Sequence, residues 1–320
     1  LKTFLPTILT LLFSVSAYKI AYARQPAFQL QHEEVVEIVQ NTASEFETRY
    51  LFPDKGEHVA RLLRKKLAAG DFDQAFDFDR LKHSLEATVI RTTNDSNFEL
   101  VKREALADTP DDADSQQVSV IDAQILDNNV GYLTLKGDFV FNESKQSITA
   151  AFRHITDVNA LILDVRDVGL GNVELTQHLI SFFTAPNTHL ADIHFGHGNK
   201  RPLGSLEIQG FTFKNRELPV FILTSSFVSG PWELLVYTLK KLEKATIVGE
   251  DTMGLGIMTI PTTVSEHTSI FLSYAEIKLE STGDNWQTWG VVADYQTSAD
   301  ASFELAVKLA HEIDKPTTSE

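Results

Sequence analysis

No cysteine occurs anywhere in the 320 residues. This excludes disulfides, thiolate metal ligands and thiol nucleophiles together, so packing and hydrogen bonding must hold the fold. Basic residues are scarce: 28 Lys and Arg stand against 44 Asp and Glu, a formal net charge of −16. Such a chain repels polyanions, which argues against nucleic acid and anionic membrane surfaces as partners. A membrane-crossing run is missing too. The apolar stretch from Phe4 to Ala17 is interrupted by Pro6 and small polar residues, and a bilayer needs about 20 apolar residues. With Lys2 before it and Ala21-Tyr22-Ala23 after it, this stretch has the layout of a secretory signal over residues 1–23. The expectation is an exported chain, periplasmic or extracellular, soluble from about Arg24 onward.

Apolar periodicity divides the remainder. Val35, Val36, Ile38, Val39, Ala43, Phe46 and Tyr50 recur at three- and four-residue spacing, followed by Val59, Leu62, Leu63 and Leu67, then Leu81, Leu85, Val89 and Ile90. The pattern predicts three amphipathic helices packed as a small bundle within residues 28–108, with Pro53 to Gly56 ending the first. The acidic, polar stretch 109–117 predicts a linker. From Val118 the pattern alternates. Val130 to Leu135, Ala160 to Val165, Val220 to Leu223 and Ala245 to Val248 predict strands, as do Ile260 to Thr263 and Thr268 to Leu279. Ile148 to His154, Val173 to Phe183 and Ala301 to Ile313 predict helices. Alternating elements of this kind define an α/β core over 118–313, leaving 314–320 as a tail.

Within that core, Phe221 to Glu250 is arranged as buried strand, Thr-Ser turn, helix opening at Pro231, and a second strand. A helix start offers unpaired N–H groups and partial positive charge, a common place for a nucleophile or an oxyanion site. The residues at the junction are Ser229, Gly230 and Pro231. Ser229 is placed to cap the helix, with Pro231 in its first turn.

The segments 129–139 (NVGYLTLKGDF), 160–172 (ALILDVRDVGLGN), Thr224-Ser225, 246–254 (TIVGEDTMG) and 285–294 (NWQTWGVVAD), in that order, resemble the tail-specific (C-terminal-processing) protease family. The branch is the one that contains interphotoreceptor retinoid-binding protein, where a helical N-terminal domain precedes the core. The resemblance implies a ClpP/crotonase-like α/β core. It also implies a serine nucleophile, a histidine base and an orienting glutamate, because a neutral hydroxyl attacks only when an imidazole removes its proton and a carboxylate supports that imidazole.

Carried onto this sequence, the family's Thr-Ser-x-x-Thr-x-Ser-Ala-x-Glu puts Gly230 at the nucleophile, counted forward from Thr224-Ser225 or backward from Glu233. The histidine of Gly-Asp-x-His-Leu falls on Asn97. The glutamate of Asn-Trp-Glu-Gly-x-Gly-Val falls on Gln287. The oxyanion-side loop corresponds to Asp164 through Gly171, with Gly169 and Gly171 kept. An amide accepts no proton at neutral pH, and glutamine lacks the charge that would support an imidazolium.

The expected molecule is therefore a peptidase homologue without its triad. It would bind a peptide or a hydrophobic small molecule in the former cleft between bundle and core, with Phe227, Trp232, Met253, Met258, Trp286 and Trp289 as lining. The alternative is an active serine peptidase with Ser229 as displaced nucleophile; a third reading is an interaction protein that uses its acidic surface. Neither metal nor cofactor is expected. His83, His154 and His178 sit in helices, and His194 and His197 flank a loop-like Phe195-Gly196 without a carboxylate cluster.

Overall fold

The computed structural model describes residues 29–74, 77–103, 119–211, 213 and 217–313. The expected signal segment, linker and tail lie outside the described residues. Three helices come first: α1 (His32–Arg49), α2 (Pro53–Ala68) and α3 (Phe78–Thr93). Their predicted apolar stripes are buried against one another, from Val35, Ile38 and Phe46 through Leu63 to Leu81, Leu85 and Val89. Pro53 to Gly56 starts α2 instead of merely ending α1, since proline's fixed φ and missing N–H suit the first helical position. Asp77 caps α3 by accepting the Arg80 N–H at 3.1 Å, and α3 stops at Asn94 in the left-handed conformation.

Two sheets follow. The first has the order β11-β8-β7-β4-β3-β2, made from β2 (Val120–Leu126), β3 (Val130–Gly137), β4 (Ala160–Val168), β7 (Val220–Thr224), β8 (Thr246–Gly249) and β11 (Tyr295–Gln296). All pairings are parallel except that between β2 and β3. Alternate side chains serve opposite faces. Leu161, Leu163 and Ile222 pack under α4 (Phe141–His154), α5 (Val173–Ile180) and α6 (Pro231–Lys241), while Ala160, Ile162, Phe221 and Leu223 pack against α7 (Ala299–Ile313). Helix α4 starts seven residues earlier than its periodicity predicts, and α5 ends at Ile180, the chain turning through Ser181 to Phe183.

The second sheet centres on β10 (Thr268–Leu279), with β9 (Ile257–Thr263) on one edge. On the other edge sit β1 (Glu99–Lys102) and β5 (His189–Phe195), and β6 (Lys200–Gly204) extends β5. Ile270 and Leu272 of β10 belong to the core of the helical bundle, whereas Ala275, Ile277 and Leu279 belong to the α/β core. One strand thus closes both cores. His194 lies within β5, correcting its expected loop position, and His197 occupies the turn after it at φ 59°.

Candidate functional site

Parallel strands direct their carboxyl ends to one side, and the loops that leave those ends form the customary binding face of such a sheet. Here these loops are 138–140 after β3, 169–172 after β4, 225–230 after β7 and 250–256 after β8. The segment 285–291 joins them through hydrogen bonds. The resemblance placed its site on these same segments, apart from Asn97.

Gly230 is the N-cap of α6, at φ 55° and ψ −119°. Ser229 therefore does not cap the helix; its carbonyl accepts the Trp232 N–H at 3.2 Å. The Gly230 conformation is that of a sharp strand-to-helix elbow, open to glycine and strained for any residue with a Cβ. A Cβ built at 230 meets nothing within 4 Å, so the position faces open space. Pro231 follows at the first helical position. It has no N–H, so the elbow offers no backbone donor at that residue.

The elbow is fastened by Glu233, a fully buried residue. Its Oε2 accepts from the N–H groups of Gly230 (2.9 Å) and Leu255 (2.8 Å), and its Oε1 from the Gly254 N–H (2.6 Å) and the Thr252 hydroxyl (2.6 Å). The Thr252 Oγ1 in turn accepts the Val291 N–H at 2.7 Å. A buried carboxylate is tolerated when donors saturate it, and here one side chain ties the elbow to the 250–256 loop, with Thr252 extending the link to 285–291. Nearby, the Ser226 N–H, the Ser226 hydroxyl and the Ala299 N–H, in that order, hold the Glu250 carboxyl below its ordinary pKa.

Gln287 belongs to the same bonded system. Its Oε1 accepts from the N–H groups of Gly256 (2.7 Å) and Ile257 (2.8 Å), while Thr288 N–H donates to Gly254 C=O at 2.9 Å. The Gly169–Gly171 loop joins from the other side. Trp232 Nε1–H donates to Gly169 C=O at 2.9 Å, and a Cβ at Gly171 would press the Trp232 indole at 2.8 Å. Asp138 fixes that loop by accepting the Leu170 N–H at 2.6 Å. Gly230, Gln287, Gly169 and Gly171 are thus connected through Glu233, Trp232 and the 252–256 backbone.

Asn97 is held elsewhere. Its N–H donates to Asp95 Oδ1 at 3.0 Å, and Asp95 Oδ2 accepts the buried Tyr50 hydroxyl at 2.9 Å. Burial, then the Asp95 charge, pushes the Tyr50 hydroxyl pKa upward. The turn carrying Asn97 enters β1, whose Glu99 pairs with Phe271 on the edge of β10 opposite β9. Strand β10 therefore lies between Asn97 and the Gly256 amide that Gln287 holds.

Two of the expected lining residues need correction. Trp232 and Trp286 are buried and act as the floor beneath the loops, not as the wall of an open cleft. Phe227 and Trp289, by contrast, are 75% and 82% exposed, and Leu170, Met253 and Leu255 also present large apolar side chains to solvent. Leu170 and Leu255 were not foreseen; each sits beside a glycine in a loop whose backbone is fixed by hydrogen bonds, leaving the side chain outward. Met258 is half-buried against the core. A separate cavity of about 800 Å³, lined by Phe182, Phe183, Phe211, Phe213, Leu218 and Val220, opens at the amino end of β7, away from these loops.

The peptidase family S41 model matches residues 129–297, and that of the N-terminal domain of peptidase S41 in eukaryotic IRBP matches residues 28–132. The chain belongs to peptidase family S41. Among solved structures it is similar to a lipoprotein from Streptococcus agalactiae, at 14% identity and a TM-score of 0.61 over 91% of this chain and 99% of that one. It is also similar to the photosystem II D1 C-terminal processing protease, at 15% identity and a TM-score of 0.58 over 85% and 95%. These likenesses establish a shared fold.

Proposed function

We propose that this chain is a non-catalytic member of family S41 that holds an extended peptide with apolar side chains against the loops at the carboxyl ends of β4, β7 and β8. The observation that carries the reading is Gly230: the elbow keeps its geometry, but the place where a nucleophile would project is empty space. Gln287 supports it, because its side-chain oxygen is committed to two backbone N–H groups. The alignment behind these assignments has physical support. Where the family pattern carries glycine, this chain has Asn94 at φ 59°, Thr288 at φ 79° and Gly290 at φ 69°, all in the left-handed region that glycine favours. Exposed Leu170, Phe227, Met253, Leu255 and Trp289 around an amide-rich loop system suit a peptide that offers apolar side chains and a backbone. The reading includes export, from the signal-like pattern of residues 1–23.

The test combines a fluorophosphonate serine probe with a library of fluorescent peptides. The expected result is no labelling, no cleavage, and binding of apolar peptides that weakens at least tenfold in Phe227→Ser/Trp289→Ser. Labelling that disappears in Ser229→Ala overturns the reading in favour of an active serine peptidase. Tight binding of a lipophilic small molecule that excludes all peptides would replace the peptide with that ligand class.

A further inference from the structure

We propose that the outer edge of β2 is a self-recognition surface through which two copies of this chain join their six-stranded sheets across a two-fold axis at Ala123. Exposed strand edges are templates for pairing, and folds protect them with prolines, charges, glycines or brevity. The other free edges in this molecule carry such protection. Strand β6 reads Lys-Arg-Pro at its start, β9 has Pro261 within it, β11 spans two residues, and β1 spans four with Glu99 and Lys102 at its ends. Strand β2 runs seven residues, VIDAQIL, with no proline, glycine or lysine and a single charge, Asp122, and among the described residues only β3 pairs with it. Val120 and Ile125 are 43% and 50% exposed along it.

The order of residues in β2 selects the partner. Read outward from Ala123 in both directions, the strand gives Asp122 and Gln124, then Ile121 and Ile125, then Val120 and Leu126. An antiparallel pairing of β2 with itself therefore sets Ile121 opposite Ile125 of the second copy, Val120 opposite Leu126, and Asp122 opposite Gln124. Apolar faces apolar, and the lone carboxylate faces an amide able to donate to it, with no like charges opposed. Any other register by an even number of residues breaks this match, and an odd shift sends the apolar set to the wrong face. A seven-residue strand pair is a small interface, so the dimer forms in the micromolar range and not below it.

The absence of cysteine makes the geometry directly testable. In the full chain, Ala123→Cys places a single thiol on the proposed axis, facing its symmetry mate about 4.5 to 5.5 Å away between Cα atoms, within the span a disulfide accepts. Ile125→Cys places it four residues out of register with its own copy, roughly 13 Å away. Under mild oxidation at micromolar concentration, Ala123→Cys is expected to give a covalent dimer and Ile125→Cys a monomer. Light scattering of the unaltered chain is expected to show a monomer–dimer equilibrium, weakened several-fold by Gln124→Asp, which opposes carboxylates across the axis. Equal cross-linking of both cysteine variants, or a dimer insensitive to Gln124→Asp, overturns the pairing. A chain that stays monomeric through the micromolar range overturns the dimer itself.

Discussion

At its amino end β7 begins with Val220 beside a wall of phenylalanines, and at its carboxyl end it runs into loops held by hydrogen bonds to one buried carboxylate. At the amino end the apolar side chains are themselves the fastening. Phe152 and Phe182 stack at 4.0 Å between ring centroids, and Phe211 meets Phe182 edge-on at 4.8 Å. At the carboxyl end Glu233 accepts from the 250–256 loop and from the elbow, and apolar side chains of those segments, Phe227, Met253 and Leu255, face outward. The difference teaches how a fold can expose hydrophobic residues without losing its shape: the backbone is held by polar bonds from below, and the side chains are left facing outward.

Removing the polar fastening should have the largest effect. Glu233→Ala leaves three backbone N–H groups and a hydroxyl without their acceptor, at a cost of about 4 kcal/mol in urea denaturation. The amides of Gly254 and Leu255 are expected to lose hydrogen-exchange protection. If stability falls by less than the price of an ordinary surface change, the contrast between the two ends of β7 is wrong.

The apolar end should respond to acid. His178 is 1% exposed among Phe141, Phe182 and Thr149, and burial, then the charge of Lys145, pushes its pKa down to about 4. The unfolded histidine protonates near pH 6.5, so this contribution is complete above that pH and is lost as pH falls toward 4; it amounts to about 3 kcal/mol. His178→Leu should therefore flatten the fall in Tm between pH 6.5 and 4 relative to the unaltered chain. Parallel profiles for the two proteins would show that the histidine is not buried in solution.

The smallest effect distinguishes two unusual backbone positions at the carboxyl end. Gly230 holds a strained conformation with the residue that bears it freely, whereas Thr288 holds φ 79° with a β-branched side chain. Thr288→Gly should stabilise by about 1 kcal/mol after glycine's own entropy is deducted, raising Tm by roughly 2 °C. A loss of stability would mean that the Thr288 side chain contributes contacts that outweigh its backbone strain.

Much of the fold was legible in the sequence, for reasons particular elements make clear. Helices α1 and α3 bury one clean stripe each, and β4 and β7 open with the apolar runs 160–163 and 220–223, so periodicity and apolar length report them directly. Strands β5 and β6 escaped because the edge strand β6 is short and mostly exposed, and β5 buries adjacent residues, Leu190 and Ala191, instead of alternating. At the site, spacing alone located the strand–turn–helix junction that ends at Pro231. The convergence on Glu233 of donors from residues 252–255 could not be read, since it depends on how loops from different strands meet. Tryptophans 232 and 286 misled for a related reason: an indole beside a functional loop can be its floor as easily as its wall.

Pro231 carries a historical consequence. On the proposed reading, a serine placed at position 230 would attack a carbonyl whose developing charge found no amide at the next residue. On the same reading a base and its supporting carboxylate would still be missing. In the proposed non-catalytic lineage the proline acts as a ratchet: it costs the helix nothing, and it makes the way back to hydrolysis several simultaneous steps long.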